Sequence, residues 1–317
     1  MKRKKILITG ASGQLGFVLT KALQFKYGIK NIIATDINFH SSLEGHFEFL
    51  DVTDLIALKQ MVVDYKVSQI YHLAAILSAK GEKDPIKTWD INIKTLTNVL
   101  EVSRLNNVKK VFFPSSIAVF GNNILRINTP QNSNLSPSTM YGVTKVAGEN
   151  LANYYFQKYG IDVRSLRYPG IIGHQSLPGG GTTDYAVEIY HKAVRNENFE
   201  CFLEPFTMLP MIYIDDAVRA TIELMEAPSQ QISIRTSYNL AGMSFSPKDL
   251  VMSIRKSYPY FQVNYKPDFR QEIANTWPVS IDDSKAVQDW DWQPEFDLNR
   301  MTKDMIANLK KQLLTTK

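Results

Sequence analysis

A single cysteine, Cys201, in 317 residues excludes an intrachain disulfide. Such sparing use of thiols suits a reducing compartment, so a cytoplasmic location is expected. No apolar run approaches the roughly 20 residues that a membrane span needs. The basic start Met1–Lys5 is followed by only Ile6–Ile8 before Thr9-Gly10 breaks the run, so no targeting signal is read there. The histidines, His40, His46, His72, His174 and His191, lack ligand spacing, and no metal is expected. Lys and Arg outnumber Asp and Glu by 36 to 31, but they are scattered apart from Met1-Lys-Arg-Lys-Lys5 and Lys310-Lys311. Nucleic-acid binding needs a concentrated basic face, so the charge reads as a solvated surface. No internal repeat or low-complexity tract is present.

What remains is a chain that is 44% hydrophobic and 21% charged, ample for a large buried core. From residue 5 to about 170, β-rich runs alternate with helical patterns, which implies α/β architecture with a doubly wound parallel sheet. Strands are predicted at Lys5–Thr9, Asn31–Thr35, Phe47–Leu50, Gln69–Leu73, Lys110–Pro114 and Asp162–Arg167. Helices are predicted at about 14–27, 54–66, 86–106 and 139–159. After Tyr168 the rhythm fails, and Pro169-Gly170 opens an irregular stretch before a helix at about 184–195. The expected division is a first domain over 1–170, with 213–235 returning to it, and a smaller C-terminal α/β lobe from 171–212 and 236–317. That lobe is expected to hold a strand at Ser237–Leu240, helices near 247–257 and 297–313, and a turn-rich connection through Trp277-Pro278.

The first strand ends in Gly10-Ala-Ser-Gly13-Gln14-Leu15-Gly16. Glycines at a strand-to-helix junction permit a tight turn and let backbone N–H groups approach a pyrophosphate at the positive end of the helix. A glycine-rich turn that merely joins strand to helix is the alternative. Its place after the first strand favours a Rossmann-type dinucleotide site. Asp36, at the end of the second strand, is placed to accept hydrogen bonds from both adenosine ribose hydroxyls and to repel a 2′-phosphate, which favours NAD over NADP. A simple turn role for Asp36 stays open. Asp51-Val52 and Leu73-Ala74-Ala75 follow the third and fourth strands at the carboxyl edge of the sheet, where the ligand crevice forms.

Tyr141 and Lys145 stand four residues apart near the start of a predicted helix, on one face. A tyrosine has an ordinary pKa near 10, so a phenolate base near neutrality needs roughly 4 kcal/mol of stabilisation, which Lys145, a nicotinamide cation and the helix N-terminus would supply. Ser115 and Ser116 follow the fifth strand at the same edge. One is expected to hold the reacting oxygen while Tyr141 removes its proton, and one to satisfy turn backbone.

Together, Gly10/Gly13/Gly16, Asp36, Pro114-Ser-Ser-Ile-Ala-Val-Phe-Gly121, Tyr141/Lys145 and Tyr168-Pro-Gly170 closely resemble the extended short-chain dehydrogenase/reductase superfamily, in its NAD-dependent epimerase/dehydratase branch. The resemblance spans nearly the whole chain. It implies that Ser116 is the catalytic hydroxyl and that Lys145 also holds the nicotinamide ribose. It further implies that Asn92 supports the lysine through water, with an exposed helix asparagine as the alternative. Gln14, Leu15, Tyr168 and Ile171 fall with the expected cofactor contacts. Members commonly dimerise through the helices that here span 86–106 and 139–159, so a homodimer is expected.

The second lobe resembles one subgroup, the short-chain-type L-threonine 3-dehydrogenases, through Arg167–Ile172, Pro178–Val187, Met208–Asp216 and Trp277–Asp283. The resemblance implies oxidation of the L-threonine 3-hydroxyl to 2-amino-3-oxobutanoate. Independently, Gly179-Gly-Gly181-Thr182-Thr183 runs into a helix near Asp184, and glycine amides, hydroxyls and a helix N-terminus make a compact carboxylate receptor. A flexible capped loop is the alternative. Ser78 is expected to meet the substrate from the opposite side, and Trp277 to wall its methyl group or else to be core. Two rivals stand beside this reading: a nucleotide-sugar epimerase or dehydratase, and a non-catalytic NAD-sensing regulator. The first needs basic side chains for a diphosphate, yet 171–212 holds only Lys192 and Arg195; the second usually lacks the Tyr/Lys pair.

Overall fold

A computed structural model describes residues 4–179 and 181–315. The first half runs β1 (Ile6–Thr9), α1 (Gln14–Tyr27), β2 (Ile32–Asp36), β3 (His46–Phe49), α2 (Leu55–Asp64), β4 (Gln69–His72), α3 (Ser78–Gly81), α4 (Pro85–Leu105), β5 (Lys110–Ser116), α5 (Met140–Tyr159) and β6 (Asp162–Tyr168). The second half runs β7 (Gly170–Ile172), α6 (Tyr185–Val194), β8 (Phe199–Cys201), β9 (Leu209–Tyr213), α7 (Ile214–Glu226), β10 (Tyr238–Asn239), β11 (Met243–Phe245), α8 (Pro247–Arg255), β12 (Val263–Tyr265), α9 (Phe269–Asn275), α10 (Ser284–Trp290) and α11 (Leu298–Thr315).

A seven-stranded parallel sheet in the order β10-β6-β5-β4-β1-β2-β3 forms the Rossmann-type centre. Its middle strands β1 and β4 are buried at every residue. Successive side chains on a strand point to opposite faces, so Ile6 and Ile8 enter one apolar core while Leu7 enters the other. Strand order reverses between β1 and β4, and a crevice opens there at the carboxyl ends of the strands.

Three features depart from the expected layout. The stretch after Tyr168 is not irregular at once: β7 pairs with β9, and β9 with β11, in a three-stranded sheet. Gly170 permits this, because a Cβ there would lie 2.4 Å from Met211 Sδ and 2.7 Å from Thr183 Cγ2. The strand expected in the C-terminal lobe, β10, instead extends the large sheet beside β6. The connection read as turn-rich holds two short helices, α9 and α10, whose seven residues each are too few to show periodicity.

Helix α5 is held unusually close to its neighbours. Thr139 caps its start by accepting from Gly142 N at 3.1 Å, and Gly160, at φ +70°, closes its end. Added Cβ atoms would meet Ala118 O at 2.2 Å from Gly142, and Phe113 Cζ at 2.4 Å from Gly148. Next to Gly148, buried Glu149 forms a two-pronged pair with buried Arg167 of β6, Nε to Oε1 at 2.9 Å and Nη2 to Oε2 at 2.8 Å. Ser115 Oγ also donates to Glu149 Oε1 at 2.6 Å. Arg167 Nη1 continues to Gln131 O at 2.9 Å and Asn239 Oδ1 at 3.1 Å. One network therefore ties α5, β5, β6, β10 and the loop at Gln131 together.

Removing one partner of such a pair strands the other charge in the interior, whereas removing both does not. Glu149→Ala is expected to lower unfolding stability by about 3–5 kcal/mol, and Glu149→Leu with Arg167→Met to recover most of that loss. Chemical denaturation of the two proteins checks it.

Candidate active site

The crevice holds a cavity of about 250 Å³ whose wall draws on both halves of the chain. Gly10, Gly13, Gln14, Leu15 and Gly16 line it from the first turn, Leu73, Ala75 and Ser78 from the segment after β4, and Ser115 and Ser116 from β5. Tyr141 and Lys145 enter from α5, Tyr168 and Ile171 from β6 and β7, and Gly181, Thr182, Thr183 and Trp277 from the later segments. Asp36, Asp51, Val52, Ala74 and Asn92 lie outside that wall. Gly180, the middle glycine of the expected carboxylate loop, lies outside the described residues, as do Met1–Arg3 of the basic start.

The three motif glycines have different reasons. A Cβ on Gly10 would sit 2.6 Å from Ala74 N, and one on Gly16 2.1 Å from Gly10 O, so protein packing alone demands both. A Cβ on Gly13 would meet only Gly10 O at an ordinary 3.4 Å, and its front is open towards the cavity. The space in front of Gly13, at the N-terminus of α1, suits a pyrophosphate. Asp36 accepts from Ser12 N at 3.0 Å and Asn38 N at 3.1 Å, which fixes its carboxylate beside the same turn. These residues fit a dinucleotide. Asp51 is exposed and accepts from Thr53 N and Oγ1, both at 2.8 Å, while Val52 is buried.

Ser115 and Ser116 point to opposite sides of β5, as neighbours on a strand must. The Ser115 hydroxyl is committed to Glu149, so it is not free to hold a substrate as expected. Ser116 Oγ accepts from Ala118 N at 3.2 Å, and its hydroxyl lies near enough to the Tyr141 phenol to favour the ionised form. Tyr168 lines the cavity, and its hydroxyl pairs with Thr221 of α7. Gln14 Nε2 reaches Ile171 O at 3.4 Å across the crevice.

Burial controls the ionisable groups. Lys145 is 4% exposed, donates to Pro114 O at 2.7 Å, and its ammonium lies 4.7 Å from the Phe113 ring centre and 5.3 Å from that of Tyr141. Desolvation pulls its pKa down to about 7 despite the opposing charge of Glu149. Desolvation likewise pushes Tyr141 up to about 12, with the Ser116 hydroxyl pulling the other way. The expected lowering of the phenol by Lys145 is thus absent here, because burial outweighs every other influence on it. His72, fully enclosed and hydrogen-bonded through Nδ1 to Thr9 Oγ1 at 2.8 Å, is held neutral, its pKa pulled down to about 3 by burial and by Lys145.

Beside Lys145, a small space of about 10 Å³ is bordered by His72, Ala74, Ala75, Asn92, Phe113 and Thr144, which is room for a single water. Asn92 is buried, not exposed. It accepts from Ile76 N at 2.8 Å and donates to Ile76 O at 3.1 Å and Thr144 Oγ1 at 3.2 Å, bracing the loop before Ser78 against α5. His72 and Glu82 carry no motif and were missed. Glu82 accepts from Met140 N at 2.8 Å and so fixes the first residue of α5.

On the substrate side, the Gly181 amide does not wait for a ligand: it donates to Asp184 Oδ2 at 2.8 Å. An aspartate at this helix start takes the place expected for a carboxylate. Two other buried atoms of the wall residues, Thr182 Oγ1 and Trp277 Nε1, lack any hydrogen-bond partner among the described residues. Trp277 is 4% exposed and packed in the core cluster, with one side lining the cavity. Lys145 is the only Lys or Arg among the described residues that line the cavity. The described residues contain no group of three His, Cys, Asp or Glu arranged for a metal, and none of their helices is long and apolar enough to cross a membrane.

Residues 6–241 match the NAD dependent epimerase/dehydratase family. A protein of Staphylococcus aureus (strain USA300), described as an uncharacterized epimerase/dehydratase, is 46% identical over 314 residues, 98% of each chain. Among solved structures, a GalE-like L-threonine dehydrogenase from Cupriavidus necator in its holo form is 49% identical, covers 96% of this chain and 99% of its own, and superimposes with a TM-score of 0.95. A monomeric L-threonine 3-dehydrogenase from a metagenome, in its apo form, is 48% identical over 97% and 99% of the two chains, with a TM-score of 0.94.

Gly13→Val should fold with an unchanged melting temperature and bind NAD at least about tenfold more weakly, whereas Gly16→Ala should lose about 2 kcal/mol of stability; thermal melts and fluorescence titration separate them. Lys145→Met should be the more stable protein, by on the order of 2–4 kcal/mol below pH 7, where parent and unfolded chain both carry the charge. Between pH 7 and about 10.5 the unfolded lysine holds a proton that the folded one has lost, so parent stability rises with pH and the gap narrows. Denaturation across pH 6–10 reads this directly.

Proposed function

The chain belongs to the NAD dependent epimerase/dehydratase family, with NAD as its cofactor, and from that premise we propose that it oxidises the 3-hydroxyl of L-threonine to give 2-amino-3-oxobutanoate. One observation carries the choice of substrate. The wall that contains Ser116, Tyr141 and Lys145 also contains two buried donors without partners, Thr182 Oγ1 and Trp277 Nε1, and Lys145 is its only Lys or Arg among the described residues. A small amino acid supplies acceptors for both donors. A nucleotide sugar brings two phosphate charges, for which this wall has no basic clamp.

In this reading Gly10, Gly13, Gly16 and the start of α1 hold the pyrophosphate, Asp36 the adenosine ribose, and Lys145 the nicotinamide ribose. Bound NAD supplies the hydride acceptor. Ser116 hydrogen-bonds the substrate 3-hydroxyl and Tyr141 takes its proton. Lys145 contributes charge to the phenolate as it forms. The phenol starts near 12 in the free protein, so ligand binding must bring positive charge beside it before it serves as a base near neutrality. Thr182, Ser78 and Trp277 orient the amino acid so that C3 faces the cofactor. Residues 171–212 and 236–317 supply the substrate side of the crevice, even though β10 extends the larger sheet.

The resemblance to L-threonine dehydrogenases of about 48–49% identity over nearly whole chains supports the same reading. We also propose a cytoplasmic homodimer. Ile86, Trp89, Val143 and Tyr154 leave apolar surface exposed on α4 and α5, although one of these relatives is described as monomeric.

Purified protein with NAD is expected to form NADH with L-threonine, and little with L-serine, 3-hydroxybutyrate or a UDP-hexose. Turnover should rise with pH as the phenol loses its proton. Tyr141→Phe should lower it at least about a hundredfold while NAD binding persists. Conversion of a nucleotide sugar in place of threonine would overturn the substrate, and undiminished turnover by Tyr141→Phe would overturn the base.

A further inference from the structure

A second cavity, of about 210 Å³, lies between α6, the C-terminal part of α11 and the segment 174–177 that leads into the Thr182 loop. Its polar side is basic. His174 and Gln175 come from the segment, His191 and Arg195 from α6 and the residue after it, and Gln312 from α11. Its other side is apolar, formed by Leu177, Val194, Leu309 and Leu313.

The polar groups are incompletely satisfied. His191 is 9% exposed and its Nε2 is buried without a partner among the described residues, as is Gln175 Oε1. The ring of His174 is held between two amides, Gln175 Nε2 at 3.0 Å and Gln312 Nε2 at 3.3 Å. The Arg195 guanidinium makes no hydrogen bond or ion pair among the described residues. Burial lowers both histidines; Arg195 and His174 lower His191 further, while Lys311 lowers His174 and Asp304 alone raises it. A metal does not suit the place, since no group of three ligand side chains exists among the described residues and a guanidinium stands beside the ring.

We propose that this cavity binds a small organic carboxylate, its charge held by Arg195 and His191 and its apolar body laid on Leu309, Leu313 and Val194. A bare oxyanion meets the charge but leaves the apolar half unfilled; an amine meets the wrong charge. Nothing in the dehydrogenase reading needs the site, and nothing in the site needs that reading.

The test uses the full-length protein and its five histidines, followed by NMR of the ring Cε1–H signals, with His174→Gln and His191→Gln identifying two of them. Butyrate is the probe. Saturable shifts of the His174 and His191 signals are expected, with the His191 pKa rising by about one unit as an anion settles beside it. Sulfate should bind about tenfold more weakly, n-butylamine not at all, and Arg195→Ala, a truncation of an exposed side chain, should abolish the butyrate response. Absence of a saturable shift, an equal response in Arg195→Ala, or sulfate binding as tightly as butyrate would overturn the assignment.

Discussion

The geometry of the candidate active site hangs on the buried pair of Glu149 and Arg167. Glu149 lies four residues, about one helical turn, beyond Lys145 and eight beyond Tyr141 on α5. Through Ser115 it also grips the end of β5, one residue before Ser116. The hydroxyl that holds the reacting oxygen in the proposed chemistry and the phenol that takes its proton are therefore set by three hydrogen bonds to one carboxylate, one from Ser115 and two from Arg167. Arg167 extends the constraint to Asn239 and the Gln131 loop. Gly142 and Gly148 complete it by letting α5 lie against Ala118 and Phe113 with no intervening side chain.

The same close packing buries the ionisable groups of the site, and burial sets their electrostatics. Tyr141, Lys145 and His72 are all displaced towards their neutral forms, each chiefly by loss of water. Positive charge arriving in a low-dielectric cavity acts far more strongly than in water, which is how binding and base activation are coupled in the proposed reaction. Lys145, uncomfortable in the free protein, is then an instance of local stability given up for function.

Much of this was legible in the sequence. The six strands and the four longer helices of the first half announce themselves by period, and the strand-turn-helix junction at Gly10–Gly16 by its glycines. Tyr141 and Lys145 were readable because chemistry requires both residues on one helical face. What stayed hidden depends on tertiary burial. Periodicity does not distinguish Ser115 from Ser116 by partner, because the carboxylate that claims Ser115 lies 34 residues away. Nor does it show that Asp184 satisfies the Gly181 amide, or that burial lifts the Tyr141 phenol. β7, β8, β11 and β12 are three residues long, too short for alternation to register, and the strand expected at Ser237–Leu240 gave no sign that it joins the large sheet. His72 and Glu82 belong to no spacing pattern and acquire meaning only from what the fold packs against them.

The most direct measurement is transfer of isotope from L-threonine deuterated at C3, with NAD and purified protein, followed by mass spectrometry of the reduced cofactor. Oxidation at the 3-hydroxyl should place one deuterium in each reduced cofactor and none in solvent. Reduced cofactor without deuterium, or deuterium released to water without net reduction, would contradict hydride transfer from C3 and with it the proposed chemistry of Ser116, Tyr141 and Lys145.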